Sequence, residues 1–148
     1  MFEYINIMVR ISNLELLKKL RENSRVHYTQ LARHFGVTET AIRKRIKKLE
    51  ESGVIVKYTI DINPKKIGFE SVALIGIDTK PEKYIKTIEE LKRMKEVFTL
   101  CSSSGDHMIL AECWFKNSKE LSDFIKKIGR MDGVLKVCPA IITEKIKC

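Results

Sequence analysis

Residues 28–55, YTQLARHFGVTETAIRKRIKKLEESGVI, decide the fold of the N-terminal half of this 148-residue chain. Apolar side chains at helical spacing predict a short helix over residues 28–35. Gly36 stands where that helix must end and the chain must turn. Thr38 is a good N-cap for a further helix, which we predict over residues 39–51. Short helix, glycine turn and second helix are the parts of a helix-turn-helix.

The flanking sequence completes this first part of the chain. Upstream, the apolar spacing predicts a helix over residues 13–23, with Ser12 or Asn13 as its cap. Downstream, residues 54–62 alternate and are rich in β-branched side chains, which predicts a strand. We therefore expect a winged helix-turn-helix domain over residues 1–60, with the strand as its link to the rest.

The predicted third helix is amphipathic, and its polar face is basic. Its apolar stripe consists of Ile42, Ile46 and Leu49. Residues 1–60 hold 12 Lys or Arg against 6 Asp or Glu, whereas residues 61–148 hold 16 against 13. A positive charge concentrated in one part favours a polyanion as partner, most often double-stranded DNA. A merely solvated helix face is the alternative.

The geometry of a helix in the major groove assigns roles to the polar residues. The first turn of the helix faces base edges, so Glu39, Thr40, Arg43 and Lys44 are expected to read bases, with Arg43 suited to guanine. Lys47 and its basic neighbours are expected to contact phosphates, as are Tyr28 and Thr29 at the start of the preceding helix. The predicted DNA-binding residues are Tyr28, Thr29, Thr38, Glu39, Thr40, Arg43, Lys44 and Lys47.

Residues 61–148 alternate strands and helices in the order β-α-β-β-α-β. The predicted strands cover residues 71–78, 97–102, 108–115 and 134–143, and the predicted helices cover residues 81–94 and 118–131. This is the ferredoxin-like arrangement, so the expected class of the whole chain is α+β. In the first helix the inward stripe is predicted to be Tyr84, Ile85, Ile88, Leu91 and Met94. Ser118 is expected to cap the second helix.

Ordered motifs in the first part carry a family resemblance. They are an LxxNxR run from Leu20 to Arg25, the pair Leu31-Ala32, the GVT turn at Gly36, an RxxxLExxGVI segment from Arg45 to Ile55, and an NPxxIG segment from Asn63 to Gly68. With these motifs in order, residues 16–69 resemble the start of Lrp/AsnC transcriptional regulators, also called feast/famine regulators. One departure is Asn13, where the family usually has an Asp that caps the first helix.

The resemblance implies an effector site in the second part. In the family, the turn between the second and third strands usually reads T-G-D-Y-D and helps to bind an effector, commonly an amino acid, between subunits. The turn here reads S-G-D-H-M from Ser104 to Met108. Backbone amides at such a turn can hold a carboxylate, and Asp106 can hold an amine. The expected effector-binding residues are Ser103, Ser104, Gly105, Asp106 and His107. A plain hairpin connection is the alternative.

The resemblance also implies assembly. Family members form homodimers through the sheet domain, and four dimers often form an octamer, so domain 61–148 is expected to bind the effector and to oligomerise. A dimer would present two recognition helices to DNA. Residues 1–10 lack a secretion signal, and no apolar run reaches the roughly 18 residues that span a bilayer, so we expect a cytoplasmic protein without membrane contact.

An enzyme is the main rival hypothesis. Some tetrapyrrole (haem-precursor) decarboxylases resemble the same two-domain layout, and His107 beside Asp106 would be their most interesting residue. We predict no enzyme and no cofactor, because no nucleophile is placed by the sequence beside His107 and the basic third helix has no evident use in catalysis. A pure assembly or ligand-sensing module that does not bind DNA is a third reading.

The cysteines give no support to a metal site. Their positions are Cys101, Cys113, Cys138 and Cys148, without a C-x-x-C pair or a histidine at ligand spacing. The first three lie in apolar runs, where we expect small buried hydrophobic side chains. Cys148, the last residue, is expected to be exposed.

Overall fold

A computed structural model describes residues 11–147 of the chain. It divides the chain into two compact units, with the boundary between Ile60 and Asp61. Cys148 lies outside the described residues. Within residues 11–147, no helix is both long enough and apolar enough to cross a membrane.

The first unit contains three helices, α1 (Asn13–Glu22), α2 (Tyr28–Phe35) and α3 (Glu39–Glu51). The Ser12 hydroxyl caps α1 by accepting the Glu15 N–H at 3.4 Å. Gly36 ends α2 with a φ of 64°, in the left-handed region that glycine enters without strain. The Thr38 hydroxyl oxygen caps α3 by accepting the Ala41 N–H at 3.1 Å. The predicted helix-turn-helix is therefore confirmed.

One apolar core holds the three helices together. Its buried members are Ile11, Leu16, Leu20, Leu31, Ala32, Ile42, Ile46 and Leu49. The predicted stripe of α3 lies in this core, with Ile42 and Ile46 almost completely buried. Burial of one face of α3 leaves the basic face exposed to solvent.

The strand predicted over residues 54–62 is wrong. No strand is formed there, and the segment pairs with no other strand of the described chain. Ile55 packs against the core of the first unit, but most of the other apolar side chains remain in solvent, with Val56 86% and Ile60 77% exposed. Alternation and β-branching make a segment suited to a strand, but a strand forms only where a neighbouring strand supplies the partners of its hydrogen-bond ladder.

The second unit is a four-stranded antiparallel sheet with helices packed on one face. The strands are β1 (Ser71–Thr79), β2 (Val97–Ser102), β3 (Ile109–Phe115) and β4 (Val134–Ile141), in the order β2-β3-β1-β4. The helices are α4 (Tyr84–Lys92) and α5 (Ser118–Gly129). The predicted β-α-β-β-α-β order is confirmed, and with it the α+β class.

Strand alternation separates the two faces of the sheet. Ala73, Ile75 and Ile77 of β1 lie in the core beneath the helices, together with Leu91 and Leu121. Neighbouring positions of β1 face the other way. This open face of the sheet carries Leu74 and Phe98, which are 40% and 50% exposed.

Local details of the helices differ from the predictions. A 3-10 turn, Pro81–Lys83, precedes α4, so the α-helix begins later than predicted. Ile85, predicted to be inward, is 69% exposed, whereas Thr87 is buried and its hydroxyl donates to the Lys83 carbonyl at 2.9 Å. The cap of α5 is Asn117 rather than Ser118, because the Asn117 side chain accepts the Glu120 N–H.

The cysteines do not share one environment. Cys113 is buried, and burial, together with Glu96 and Glu112, raises the pKa of its thiol to about 12. Cys138 is half-buried and Cys101 is exposed, so the expectation of a buried side chain is wrong for Cys101. Cys101 lies on β2, an edge strand of the sheet.

Candidate DNA-binding and effector-binding sites

The exposed face of α3 is the first candidate site. The helix has 13 residues, which at about 1.5 Å per residue is long enough to lie across a major groove about 12 Å wide. Thr40, Arg43, Lys44 and Lys47 are all exposed on it, opposite the buried stripe. Charged and hydroxyl side chains thus line the surface that a groove would meet.

Arg43 has two partners, one on its own helix and one on α2. A guanidinium nitrogen of Arg43 donates to Oε1 of Glu39 at 2.6 Å. The guanidinium carbon lies 5.0 Å from the centre of the Tyr28 ring, within cation–π range. The sequence suggested separate roles for Arg43 at a base and Tyr28 at a phosphate, whereas the structure brings the two side chains together.

The Arg43–Glu39 ion pair contributes little to stability. The two side chains are 64% and 43% exposed, and exposed pairs at this spacing are typically worth about 0.3–0.5 kcal/mol. The arrangement therefore matters for where the guanidinium points rather than for holding α3 together.

The other predicted DNA-binding residues differ in whether their polar groups already have partners within the protein. The Thr38 oxygen is the cap of α3, and its hydroxyl can still donate a hydrogen bond. Nζ of Lys47 lies 3.7 Å from Oε1 of Glu51 in an exposed ion pair. Because exposed ion pairs contribute little to stability, Lys47 can leave Glu51 and bind a phosphate at a low cost in free energy. Thr29 is exposed at the start of α2, one residue beyond the half-buried Tyr28.

The turn between β2 and β3 is the second candidate site. The Ser103 N–H donates to the Met108 carbonyl at 2.9 Å, and the Ser103 hydroxyl donates to the His107 carbonyl at 2.5 Å. Gly105 has a φ of 117°, which favours glycine at this point. Ser104, Gly105 and Asp106 are exposed. Ser103 therefore closes a turn whose tip is open to a ligand.

His107 turns inward from this exposed tip. Its Nδ1 lies 2.9 Å from Oδ2 of Asp78 on β1, and Oδ1 of Asp78 accepts the Met108 N–H at 2.9 Å. The hydrogen bond from His107, with that from Met108 in support, lowers the pKa of the Asp78 carboxyl below its usual value. One carboxylate thus anchors the end of the turn to the sheet.

Gly76 provides the space for the His107 ring. A Cβ built at Gly76 would lie 2.2 Å from Cδ2 of His107, closer than any real contact. Neither Gly76 nor Asp78 was among the predicted site residues. The available signal was a glycine and a single acidic residue within the otherwise apolar strand VALIGID. Their connection to His107 depends on the pairing of β1 with β3.

A groove of about 590 Å³ lies elsewhere in the second unit. Its lining residues are Phe69, Lys95, Glu96, Trp114, Phe115, Lys116, Glu120, Asp123, Phe124 and Lys127. Residues 103–107 do not line it, so the structure does not bring the predicted effector residues to this groove.

The fold and the basic face of α3 place the first unit in the winged helix-turn-helix class of DNA-binding domains. Residues 10–56 match the family described as winged helix-turn-helix DNA-binding, and residues 72–148 match the Lrp/AsnC ligand binding domain. The chain belongs to the Lrp/AsnC family of transcriptional regulators, as its sequence motifs indicated.

Individual relatives agree with this assignment. The HTH-type transcriptional regulator LrpA of Pyrococcus horikoshii is 50% identical over 133 residues, which cover 89% of this chain and 94% of the relative. The solved structure of E. coli AsnC is 27% identical with a TM-score of 0.76, and the match covers 94% of this chain and 96% of that chain.

A more distant structure supports the fold alone. A transcriptional regulator from Neisseria meningitidis, solved as a complex with L-Met, is 18% identical with a TM-score of 0.77, and the match covers 94% of each chain. The curated relatives carry the names of regulators, and the decarboxylase alternative finds no support among them.

Proposed function

We propose that this chain regulates transcription by binding double-stranded DNA through α3, and that a small molecule bound at the β2–β3 turn modulates that binding. Residues 1–60 then act as the DNA-binding domain and residues 61–148 as the effector and assembly domain. The main observation that supports this function is the exposed basic face of α3, which is the second helix of a capped helix-turn-helix. A regulator of transcription works where the chromosome is, so its compartment is the cytoplasm.

The DNA-binding part of the proposal assigns two kinds of contact. Glu39, Thr40, Arg43 and Lys44 lie in the first turns of α3 and face base edges. Lys47, Tyr28, Thr29 and the Thr38 hydroxyl surround that surface and are suited to phosphates, which fix position without reading sequence. Supporting this division, the basic side chains are exposed, while the stripe opposite them is buried.

The effector part of the proposal assigns an amino acid or a related small molecule to the turn. Exposed backbone amides around Gly105 can take a carboxylate, and the exposed Asp106 carboxylate can take an amine. A ligand with both groups fits this pair of functions. The turn does not line the groove of this unit, which supports a site completed by another subunit.

A homodimer is the proposed minimal assembly. A single helix-turn-helix makes a small contact, and a dimer reads two half-sites about one helical turn apart. Segment 54–62, which forms no strand and has Val56 and Ile60 in solvent, and the open face of the sheet offer apolar surface for a second copy. An octamer of four dimers would add avidity and bend DNA along its surface.

The decisive experiment is selection of bound DNA from a random pool by the full-length protein. At about 150 mM salt, loose phosphate binding is weakened, so the recovered sequences report base contacts. We expect an inverted repeat. Recovery of no preferred sequence would contradict the proposed function and favour a sensor or assembly module.

A second experiment tests the effector. DNA affinity is measured with each of the twenty amino acids added in turn, and the affinity of any active amino acid is measured with and without DNA. Because coupling between two sites is reciprocal, both affinities must change by the same factor. Absence of any effect across the panel would contradict an amino-acid effector.

A further inference from the structure

We infer that Tyr28, Glu39 and Arg43 form one reading unit, in which Tyr28 is a positioning residue and Glu39 both holds the Arg43 guanidinium toward a guanine edge and contacts the neighbouring base. The inference rests on the proposed DNA-binding function. It adds the residues that orient the reading side chain and the kind of base expected beside the guanine.

The contact with Glu39 leaves the reading capacity of Arg43 intact. One guanidinium nitrogen donates to one carboxylate oxygen at 2.6 Å. A guanidinium has five N–H donors in a planar fork, so donors remain for the O6 and N7 acceptors of a guanine. Glu39 lies one helical turn before Arg43, where it supports the guanidinium from the N-terminal end of α3.

The contact with Tyr28 restrains the same group from a different helix. The guanidinium carbon lies 5.0 Å from the ring centre, and the ring is half-buried with partners in the core of the first unit. A long, flexible side chain loses conformational freedom when it binds. Two restraints already present in the free protein reduce that loss and favour one orientation of the fork.

The negative charge of Glu39 adds selection at a second base, next to the guanine. Its carboxylate oxygens accept hydrogen bonds but cannot donate them. In the major groove, cytosine and adenine present an amino group, whereas guanine and thymine present oxygen acceptors that would repel a carboxylate. The unit therefore predicts a guanine read by Arg43, next to a base that presents an amino group to Glu39.

A second ion pair on the same helix provides a matched control. Lys47 and Glu51 have the same spacing as Glu39 and Arg43 and are similarly exposed, but they are 3.7 Å apart in the last turns of α3. No aromatic ring contacts Lys47 within the described part of the chain. Glu51→Gln should therefore leave base preference unchanged.

The experiment compares full-length variants on the DNA site selected by the wild type and on versions with each base exchanged. We expect the wild type to prefer guanine at one position by at least about fivefold. Arg43→Lys keeps the charge but loses the fork, so it should lose that preference while the salt dependence of binding stays the same. Glu39→Gln should weaken the guanine preference and relax the selection at the neighbouring base. Tyr28→Leu should weaken the guanine preference, and Tyr28→Phe should retain it.

The possible outcomes distinguish failure of this inference from failure of the proposed DNA-binding function. Should Glu39→Gln and Tyr28→Leu keep the full guanine preference while Arg43→Lys loses it, Arg43 reads alone and the inference is overturned. A selected site without a guanine at the position sensitive to Arg43→Lys also overturns it. A wild type without any sequence preference contradicts the proposed function itself. If thermal unfolding shows that Tyr28→Leu does not fold, the exposed Glu39 and Arg43 variants decide the matter.

Discussion

The carboxylate of Asp78 binds the imidazole of His107 and the backbone N–H of Met108, each at 2.9 Å. This relationship joins the middle of the sheet to the turn that carries the proposed effector site. The His107 and Asp78 side chains are only about one-fifth exposed, whereas the tip of the turn at Asp106 is open. A ligand-binding turn needs an end that is held rigidly by the rest of the fold and a tip that the ligand can reach.

The Asp78 contacts predict a pH dependence of stability. Because the folded state lowers the pKa of this carboxyl, the stabilisation is complete above the usual pKa and is lost as pH falls through the lowered value. Asp78→Asn should be less stable than the wild type at neutral pH. Urea unfolding at a series of pH values should show this difference shrinking in acid. A difference that grows in acid would contradict the assignment.

The close approach of Gly76 to His107 predicts strong coupling between the two positions. Gly76→Ala would force the ring away from β1 and should cost about 1–3 kcal/mol of folding stability, as overpacking typically does. In a chain that already carries His107→Ala, the same change should cost much less. A double-mutant cycle measured by urea unfolding tests this. Gly129→Ala is the control, because a Cβ placed at Gly129 would meet no neighbouring atom within 4 Å. Equal costs of Gly76→Ala in both backgrounds would exclude the coupling.

Arg43 and Lys47 should differ in the kind of DNA affinity they contribute. Arg43→Ala should lose about 1–3 kcal/mol on the selected site and relax preference at one base position. Lys47→Ala should weaken binding to all sequences about equally and reduce the salt dependence. Fluorescence anisotropy on specific and unrelated duplexes distinguishes the two. Uniform loss in Arg43→Ala would make Arg43 a phosphate contact.

Asp106 should act on the effector response alone. Asp106→Ala removes an exposed carboxylate without touching the hydrogen bonds of Ser103 that close the turn. DNA affinity without effector should therefore stay at the wild-type value, while the response to the effector disappears. DNA affinity without effector and the change in DNA affinity on adding effector are measured in one titration. Loss of both activities would mean that Asp106 has a structural role.

Segment 54–62, which forms no strand, should contribute to self-association. Its Val56 and Ile60 side chains are more than three-quarters exposed in the single chain, and a second copy would remove their apolar surface from water. Val56→Ser with Ile60→Ser should shift the protein toward the monomer in sedimentation equilibrium. Lys57→Ser, in the same segment, is the control. An unchanged dimer in the double variant would exclude this segment from the interface.

Local signals explain why the sequence predicted the helix-turn-helix so closely. Gly36 and Thr38 act on their immediate neighbours, so the bounds of α2 and α3 could be read directly from the chain. The i, i+4 spacing of Glu39 and Arg43 likewise puts them on one helix face. The sequence could therefore locate most of the proposed DNA-binding surface, but not the ring of Tyr28 beside Arg43, which depends on how α2 packs against α3.

What the sequence by itself determined was the order of elements, the amphipathic helices and the basic face of α3, because caps and periodicity are short-range. Tertiary structure alone decided the rest. Residues 54–62 had the pattern of a strand but pair with no strand within residues 11–147, and Thr87 rather than Ile85 is the buried side chain of α4. Gly76 and Asp78 meet His107 only because β1 pairs with β3, and such long-range pairing leaves no local signal in the sequence.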